Sequence, residues 1–322
     1  MPRIVQWEHQ IGRRLRLRDL FVFFTVVRKG SMAKAAAELA VSTPAVSEII
    51  ADLEHALGVR LLDRSPQGVV ATTYGEALMR RGEAAFDELK QGVRDIEFLT
   101  DPTSGEIRVA STDSLAITVL PDIIKHFARE HPRVVVHLDT MPSPATRLPG
   151  LRDRRYDLAL ARSMPPSNDY PMDDLNREIL FHDPMVVAAG SHTRWARRRR
   201  IDLAELADEP WIVPSPGTWI HVHMAEAFRE HGLDLPKASL RTIAWPLVAD
   251  FLADGPFITV CARSLVRRYA LKELPVKLPE RPWPVLVVTL KHRTLSPVVE
   301  RFINSAREVT KSLGGRPRPS KR

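Results

Sequence analysis

The sequence has a single cysteine, Cys261, among its 322 residues, and this excludes an internal disulfide. A chain without disulfides suits a reducing compartment. No apolar run is long enough to cross a bilayer, and the residues up to Arg18 are charged where a secretory signal would be apolar. We therefore expect a soluble cytoplasmic protein that has no membrane partner.

The sequence also lacks the short motifs of common enzymes. It has no Gly-x-Ser-x-Gly nucleophile elbow and no glycine-rich phosphate loop. His221 and His223 look like a metal-binding pair, but two residues apart on a helix they point to different sides, and no acidic or cysteine partner has ligand spacing. We therefore expect no enzymatic activity, no cofactor and no metal site.

The net charge is +8, which favours an acidic partner such as nucleic acid, but the distribution of the charge weakens that inference. Much of the basic excess lies in the run from Arg197 to Arg200 and in the last seven residues. The run could bind nucleic acid or could be a solvated loop. A prediction of DNA binding must therefore depend on the geometry of a motif.

Residues 31–57 predict two short helices joined by a tight turn. Ser31 and Ser42 each stand at an expected N-cap, and Pro44 falls in the first turn of the second helix, where the N–H it lacks would be unpaired anyway. Gly58 marks the end of that helix. The apolar residues at helical spacing are Ala35, Ala36, Leu39, Val46, Ile50, Leu53 and Leu57.

The second predicted helix leaves Thr43, Ser47 and Glu48 away from its apolar face, free to contact bases. Two helices in this arrangement form a helix-turn-helix unit, whose second helix enters the DNA major groove. A helical hairpin inside an ordinary globular domain is the alternative. Two short strands predicted around the turn from Ser65 to Gly68 form a wing, which favours DNA binding.

Two further helices are predicted on either side of this region. The earlier one follows an irregular basic extension, and its apolar stripe is expected to pack in the core: Leu17, Leu20, Phe21, Phe24 and Val27. The later one is a long helix from Thr73 to Thr100, with Thr73 and Glu76 placed for a capping box. Asp101 to Gly105 then forms a linker.

The long helix carries an apolar stripe that needs a partner, because the helix stands between two domains. The same helix of a second subunit is the simplest partner, which predicts a homodimer. Packing of this helix on the C-terminal domain of its own chain is the alternative. The stripe consists of Leu78, Ala85, Leu89, Val93, Ile96 and Leu99.

Beyond Gly105 the predicted strands and helices alternate, which predicts parallel sheets with crossover helices. There are too many strands for one compact sheet. One predicted strand runs unbroken from Ile179 to Ala189, and one predicted helix carries Ala116 to Phe127. The other predicted strands are 107–110, 134–138, 157–161, 211–213, 240–243, 257–261 and 284–290, and the other helices are 220–231, 246–253 and 297–310.

Polar residues follow several of these strands, where open α/β sheets bind their ligands. Ser111, Thr112 and Asp113 come after the first strand and open a helix, so hydroxyls and free N–H groups could bind an anion there, or merely cap the helix. Ser215 and Thr218 have the same position in a later strand-to-helix turn.

A cation also stands near a strand end. Arg162 follows the predicted strand 157–161 and could pair with a ligand carboxylate or form a surface salt bridge. Thr140 follows another strand and could join the same site. These residues lead us to expect an anionic small molecule, a carboxylate, as ligand.

The region from Leu20 to Gly75 resembles the LysR-type transcriptional regulators, and the length and element order of the rest agree with that family. The resemblance implies a multidomain α/β fold with an N-terminal winged helix-turn-helix, a long linker helix and a C-terminal two-lobed α/β effector-binding domain similar to periplasmic solute-binding proteins. The most specific matching residues are Gly30 to Ala36, Leu39, Val41 to Ser47, Leu53 with Glu54, and Leu57 with Gly58.

The resemblance also implies domain boundaries. The chain is expected to cross to the second lobe near Leu180 and to return near Pro282. The expected ranges are 1–16 for the extension, 17–72 for the DNA-binding domain, 73–100 for the linker helix, 105–180 with 282–312 for lobe I, 181–281 for lobe II and 313–322 for a disordered basic tail.

The family pattern further implies roles for individual residues. Arg64 would contact a phosphate beside the wing, and Thr259 would lie beside the cleft between the lobes. The residues implied to contact DNA are Ser31 and Ser42 at the backbone and Thr43, Pro44, Ser47 and Glu48 at the base edges.

The resemblance implies a regulator that binds promoter DNA as a tetramer of two dimers, bends it, and changes the bend when its effector binds. The sequence departs from the family at Thr43, where glutamine is frequent, at Glu48, where a basic residue is frequent, and at Gln67, where the wing often has arginine. We expect an altered base preference from the changes at Thr43 and Glu48 and the loss of one phosphate contact from the change at Gln67. A solute-binding module and an α/β enzyme with an accessory domain are the alternative functions.

Overall fold

The computed structural model of the chain describes residues 15–66, 68–141, 148–162, 172–279 and 283–313. The chain forms two compact units, residues 1–90 and 91–322. Most of the predicted N-terminal extension, Gln67 and the predicted tail from residue 314 onward lie outside the described residues. Within the described ranges, no helix has the length and apolar character that crossing a membrane requires.

In the described part of the N-terminal unit there are three helices, a hairpin and the first part of a long helix. The hairpin strands pair antiparallel, with Leu62 opposite Ala71. The predicted winged helix-turn-helix and the predicted long helix are confirmed. The elements are α1 (Leu17–Lys29), α2 (Met32–Glu38), α3 (Thr43–Leu57), β1 (Leu62–Ser65), β2 (Gly68–Ala71) and α4 (Thr73–Thr100).

The helix ends follow the predicted caps in the helix-turn-helix. The Ser31 hydroxyl accepts the Lys34 N–H at 3.4 Å, and the Ser42 hydroxyl accepts the Ala45 N–H at 3.3 Å. Gly58 ends α3 in the left-handed region, at φ 69°. These side-chain bonds cap the starts of α2 and α3 within the helix-turn-helix itself.

The capping box predicted at the start of α4 is wrong. Thr73 already belongs to the helix, and the residue before it is the cap. The Thr72 hydroxyl accepts the Gly75 N–H at 3.1 Å and donates to the carbonyl oxygen of Arg60 at 2.8 Å. The cap is therefore displaced by one residue, and its hydroxyl also joins α4 to the loop before the wing.

The core of the N-terminal unit differs from the predicted stripe on α1. Leu20 and Phe24 are buried as predicted, but Leu17 and Phe21 are 51% and 46% exposed, whereas Phe23 is fully buried. Nearly every residue from Leu20 to Val27 is apolar. A run of this kind has almost no polar residues to mark the exposed side of the helix. The predicted buried face is therefore rotated about the helix axis from the observed one.

The wing is fastened to the helix-turn-helix by a carboxylate. One oxygen of Glu54 accepts the backbone N–H groups of Leu61 and Leu62, at 2.7 and 3.1 Å. On the other strand, the Val69 N–H donates to the Gly30 carbonyl at 2.9 Å. The wing therefore keeps a fixed position relative to α3.

The C-terminal unit consists of two lobes, each built on a five-stranded sheet. In chain order its elements are β3 (Ser104–Thr112), α5 (Asp113–Thr118), α6 (Leu120–Glu130), β4 (Arg133–Met141), α7 (Pro149–Arg152), β5 (Leu158–Arg162), β6 (Leu175–His182), β7 (Met185–Ala189), β8 (Trp211–Val213), α8 (Trp219–Glu230), β9 (Ala238–Arg241), α9 (Trp245–Asp254), β10 (Ile258–Ala262), α10 (Arg263–Arg268), β11 (Lys272–Glu273), β12 (Pro284–Leu290) and α11 (Pro297–Lys311), with 3-10 helices at Arg194–Arg197 and Leu203–Leu206.

The first lobe has the strand order β4, β3, β5, β12, β6, and the second has β11, β7, β10, β8, β9. In the first lobe α6 and α11 pack together, with the rings of Phe127 and Phe302 5.2 Å apart. In the second lobe alternate residues of β7 belong to different cores. Val187 lies in the core that contains α8, and Val186 lies in the core that contains α9 and α10.

Both sheets are mixed, so the predicted parallel sheets are only partly right. β3 runs parallel to β4 and β5, and β8 runs parallel to β9 and β10. β12 is antiparallel to β5 and β6, and β7 is antiparallel to β10 and β11. β7 is the first strand after the chain passes to the second lobe, and β12 is the first strand after it returns to the first lobe. Each of them runs antiparallel to the strands beside it.

The unbroken strand predicted from Ile179 to Ala189 is wrong. It is divided at Asp183 and Pro184 into β6 of the first sheet and β7 of the second. The chain therefore crosses three residues later than the predicted Leu180. The helix predicted through Phe127 is also divided, at Val119, into α5 and α6. The predicted return near Pro282 lies outside the described residues.

We predict that Glu54→Ala lowers the free energy of unfolding of the N-terminal unit by about 1 to 3 kcal/mol, because two backbone N–H groups lose their acceptor. Amide hydrogen exchange of the full chain should show faster exchange at Leu61 and Leu62. Asp52→Ala, at an exposed position of the same helix, is the control and should change stability by less than about 0.5 kcal/mol. Unchanged exchange in the Glu54 variant would contradict this role.

Candidate DNA-binding surface and effector cavity

The first turns of α3 present a small polar surface. Thr43, Pro44 and Glu48 are exposed, and Ser47 is half-buried beside them. The apolar side of the same helix is closed, since Val46 and Ile50 are fully buried. Side chains on this surface can donate and accept hydrogen bonds without disturbing the core.

The other predicted DNA contacts lie at the two caps and on the wing. Ser31 and Ser42 accept one backbone N–H each as caps, and a serine hydroxyl that accepts can still donate its own proton. Arg64 is exposed on β1, opposite Val69. The predicted DNA-contacting residues are therefore at least partly accessible.

The long helix α4 has an uncovered apolar stripe over its second half. Leu89, Val93, Ile96 and Leu99 are 50%, 56%, 65% and 79% exposed, and their spacing places them along one side of the helix. Exposed aliphatic side chains at successive turns of a helix are unusual unless another surface covers them.

The opposite side of the same half of α4 packs on the first lobe. Arg94 Nη1 lies 3.2 Å from Oδ1 of the buried Asp157, which also receives Arg293 Nη2 at 3.0 Å. The other oxygen of Asp157 accepts the Arg108 N–H at 2.8 Å. The Phe98 ring packs against the core of the lobe. The end of α4 thus packs on its own C-terminal domain while its stripe stays exposed.

A cavity of about 70 Å³ lies between the two lobes of the C-terminal unit. The first lobe contributes the ends of three neighbouring strands, and the second lobe contributes most of the remaining wall. The lining residues are Thr112, Asp113, Ser114, Met141 and Arg162 from the first lobe and Met185, Pro214, Thr218, Ile220, Thr242, Ile243, Trp245, Val248, Thr259, Val260, Ala262 and Leu265 from the second.

Five of the residues predicted for the effector site line this cavity: Thr112, Asp113, Arg162, Thr218 and Thr259. The structure therefore brings together both lobes and three strand ends from that prediction.

The other three predicted residues are not part of the lining. Ser111 is completely buried and its hydroxyl donates to the Thr112 carbonyl at 3.2 Å. Thr140 is exposed on the edge strand β4, beside Ser111 in the register. Ser215 contributes its carbonyl oxygen, which accepts the Thr218 hydroxyl at 2.7 Å. Ser111 and Thr140 lie on strands and Ser215 lies in a turn, and none of the three belongs to the cavity lining.

Most hydroxyls in the lining already have intramolecular bonds. Besides donating to Ser215, the Thr218 hydroxyl accepts the His221 N–H at 3.3 Å. The Thr259 hydroxyl donates to the Ile212 carbonyl at 2.7 Å. The Thr112 hydroxyl is different, because it is buried and has no hydrogen-bond partner within the described residues.

Arg162 forms a buried ion pair at the edge of the cavity. Its Nη2 lies 2.8 Å from Oδ2 of Asp183, and both side chains are less than 5% exposed. Its Nη1 is buried and has no hydrogen-bond partner among the described residues. A buried guanidinium N–H without an acceptor is costly, so this atom is a ready donor for a ligand oxygen.

Asp183 joins the two lobes through this pair. It lies in the crossing segment, and its carboxylate accepts both the backbone N–H of Ser264 at 3.0 Å and the Ser264 hydroxyl at 2.6 Å, at the start of α10. The Asp183 N–H donates to the Trp283 carbonyl at 2.9 Å, next to the returning strand. One carboxylate therefore connects a first-lobe arginine to a second-lobe helix.

Sequence reasoning missed Asp183, Ser264 and the apolar wall of the second lobe. Asp183 and Pro184 are a polar residue and a helix- and sheet-breaking residue within an otherwise apolar run. That interruption was a signal for a break in the strand and for a buried carboxylate. No comparable local pattern marks Ser264.

The remaining candidate groups have structural explanations. Burial raises the pKa of the Cys261 thiol far above its usual value, and the negative charge of Asp183 acts in the same direction. The thiol is therefore protonated and unreactive. His223 pairs with Glu226 at 3.0 Å, and within the described ranges no three His, Cys, Asp or Glu side chains cluster as metal ligands would.

The basic run in the second lobe is exposed from Arg197 to Arg200. Arg198 pairs with Glu205 at 2.8 Å and also lies 5.8 Å from the Trp195 ring. Ion pairs between exposed side chains contribute little stability. The run thus forms part of a solvated surface with some charge already neutralised.

Comparison with known proteins places both units in one family. The family model described as "Bacterial regulatory helix-turn-helix protein, lysR family" matches residues 17–76. The model described as "LysR substrate binding domain" matches residues 100–311. The two matched ranges include α3, the wing and the lining of the cavity.

Characterised and uncharacterised relatives agree with these matches. The HTH-type transcriptional regulator YybE of Bacillus subtilis is 30% identical over 285 residues, which cover 88% of this chain and 95% of YybE. The HTH-type transcriptional regulator TdcA of Escherichia coli is 27% identical over 241 residues, covering 75% of each chain. Both relatives are named as HTH-type transcriptional regulators, YybE as an uncharacterised one.

Solved structures show the same fold at lower identity. Full-length OxyR from Pseudomonas aeruginosa, in a variant form, has a TM-score of 0.64 at 17% identity, covering 95% of this chain and 99% of its own. Full-length CbnR, in complex with its target DNA, has a TM-score of 0.52 at 19% identity, covering 92% and 100%. Together with the family models, these likenesses show that the chain belongs to the LysR family of transcriptional regulators.

Proposed function

We propose that this LysR-type regulator binds a specific promoter sequence through the first turns of α3 and responds to a small anionic effector in the cavity between its lobes. The observation that carries the DNA half of this proposal is the polar surface of Thr43, Pro44, Ser47 and Glu48 on an otherwise buried helix. A protein with this function acts on chromosomal DNA, in the cytoplasm.

The base preference follows from the chemistry of that surface. A threonine hydroxyl at position 43 is less selective than the glutamine common in the family, which reads adenine through two bonds. The Glu48 carboxylate can only accept, so it favours a donor such as the cytosine N4 amino group. We therefore propose a target sequence that differs from those of relatives with glutamine and a basic residue at these positions.

The effector half of the proposal depends on the unpaired donors in the cavity. Arg162 Nη1 and the Thr112 hydroxyl have no partner among the described residues, and both residues belong to the lining. A carboxylate between them would satisfy both groups. The other polar residues of the lining are Asp113, Ser114, Thr218, Thr242 and Thr259.

The test of the DNA half is a titration of the full chain against DNA from upstream of its own gene and against a shuffled duplex of equal composition. We expect tighter binding to the upstream duplex at 150 mM salt, by about 10³-fold or more. Equal affinity for the two duplexes would contradict sequence-specific binding.

We predict that Ser47→Ala weakens binding to the target duplex by about 1 to 3 kcal/mol, because a hydrogen bond to a base edge is lost. Fluorescence anisotropy of labelled DNA measures the change. Ser312→Ala, at an exposed position near the end of α11, is the control and should have no effect. Unchanged affinity in the Ser47 variant would remove this residue from the base contacts.

We predict that Arg64→Ala weakens binding to every DNA sequence, because a phosphate contact carries no sequence information. The slope of log K against log salt concentration should become shallower by about 0.9. Arg64→Lys keeps the charge and should keep the slope of the wild type. Equal slopes for the wild type and Arg64→Ala would show that this side chain contacts no phosphate.

We also propose that α4 pairs with α4 of a second copy and that two such dimers form a tetramer that bends the promoter. The exposed stripe from Leu89 to Leu99 supports the first step.

We predict that Ile96→Asp separates the dimer, since a carboxylate would be buried without a partner. Light scattering of the full chain gives the mass, and Glu97→Ala, at an exposed position next in sequence, is the control. A dimer mass in the Ile96 variant would exclude the stripe as the interface.

A further inference from the structure

The charges around the cavity limit how much negative charge a ligand can bring. Arg162 is the one cation among the described lining residues, and Asp113 adds a negative charge at the same wall. Asp183 already neutralises one side of the Arg162 guanidinium, at 2.8 Å. One anionic group can be accommodated by Nη1. A second would lie near two carboxylates with no further cation to offset it.

The buried donors without partners and most of the apolar wall come from different lobes. The two donors without partners, Arg162 Nη1 and the Thr112 hydroxyl, both belong to the first lobe. The Thr218 and Thr259 hydroxyls of the second lobe already donate to carbonyl oxygens. The rest of the second-lobe wall is mainly apolar, with Met185, Ile220, Ile243, Trp245, Val248, Val260 and Leu265 in the lining.

A ligand in this cavity therefore needs an anionic end at the first lobe and an apolar body at the second. Most side chains of the second-lobe wall offer no hydrogen bond, so polar groups on that body would lose their bonds to water there, which is costly. Apolar carbon atoms there gain about 25 cal/mol for each Å² removed from water.

The volume limits the size of that body. A cavity of about 150 Å³ holds a benzene molecule, and the cavity here is about 70 Å³. A body of three or four carbon atoms fits this space better than an aromatic ring.

We propose that the effector is a small monocarboxylate with a short aliphatic body, and not a dicarboxylate or a phosphate ester. This inference rests on the proposed effector function of the cavity. Its carboxylate accepts from Arg162 and Thr112, while Asp183 holds the guanidinium in the orientation that leaves Nη1 free. Asp183 is thus a positioning residue.

Isothermal titration of the full chain with four probes tests the proposal. Isovalerate has the proposed charge and size, isoamyl alcohol lacks the charge, succinate adds a second carboxylate and benzoate has a larger ring. We expect isovalerate to bind at least about tenfold more tightly than each of the others. Tighter binding of succinate, benzoate or the alcohol would overturn the proposal.

Matched variants locate the site. Thr112→Val removes a hydroxyl that has no partner among the described residues, so it should leave the melting temperature unchanged and weaken isovalerate binding about tenfold or more. Thr140→Val makes the same change on the neighbouring strand, at an exposed residue outside the lining, and should bind isovalerate like the wild type. Equal effects of the two changes would overturn the proposed site.

The ion pair supplies a second variant. Arg162→Gln removes the cation and should weaken isovalerate binding by about 30-fold or more, but it leaves Asp183 buried and could unfold the lobe. Circular dichroism shows whether this variant is folded. If it is unfolded, the effect of Thr112→Val on isovalerate binding tests the proposal.

Different results would contradict the proposed ligand class and the proposed regulator function. If no probe binds while the full chain still prefers its upstream DNA, the proposed ligand class is wrong and the regulator function stands. If the chain shows no DNA preference, the proposed function itself fails, whatever the probes do.

Discussion

The C-terminal domain depends on one buried carboxylate, that of Asp183. A cavity with polar strand ends on one side and an apolar wall on the other needs its two lobes held at a defined separation, and few backbone segments pass between them. Asp183 lies in one of these segments and binds a first-lobe arginine and the start of a second-lobe helix at once. Burying an ion pair costs desolvation energy that close contacts only partly offset. The pair is therefore better understood as a means of orienting Arg162 and the lobes than as a source of stability, and the same bond that orients the guanidinium leaves one of its nitrogens without a partner.

The DNA-binding unit is organised by short-range interactions instead. The caps at Ser31 and Ser42, the left-handed Gly58 and the bonds from Glu54 to the wing all join residues fewer than ten positions apart. Local rules recognise such features, which is why the helix-turn-helix, its wing and its caps could be predicted from the sequence. The phase of α1 could not, because an almost wholly apolar run contains no polar positions to mark its exposed side. Phe23 took the core position that Phe21 was expected to have.

In the C-terminal unit the elements could be predicted more reliably than their connections. Apolar runs between turn residues predict strands such as β8 and β12. The direction of β12 in its sheet cannot be predicted in this way, because it depends on the lobe from which the chain returns. The break between β6 and β7 was hidden by the apolar residues on both sides of it. Five of the eight predicted cavity residues do line the cavity, since strand ends meet at one edge of a sheet. The bond from Arg162 to Asp183 spans 21 positions and two lobes, so no local pattern could reveal it.

The strand β5 has a mechanical consequence. Asp157, directly before it, receives Arg94 of α4, and Arg162, its last residue, borders the cavity. The five residues of β5 are buried throughout and hydrogen-bonded to strands on both sides, so they behave as a stiff rod of about 17 Å. The residue that binds Arg94 of the long helix and the residue that borders the cavity are therefore held at a fixed separation by one short span of backbone.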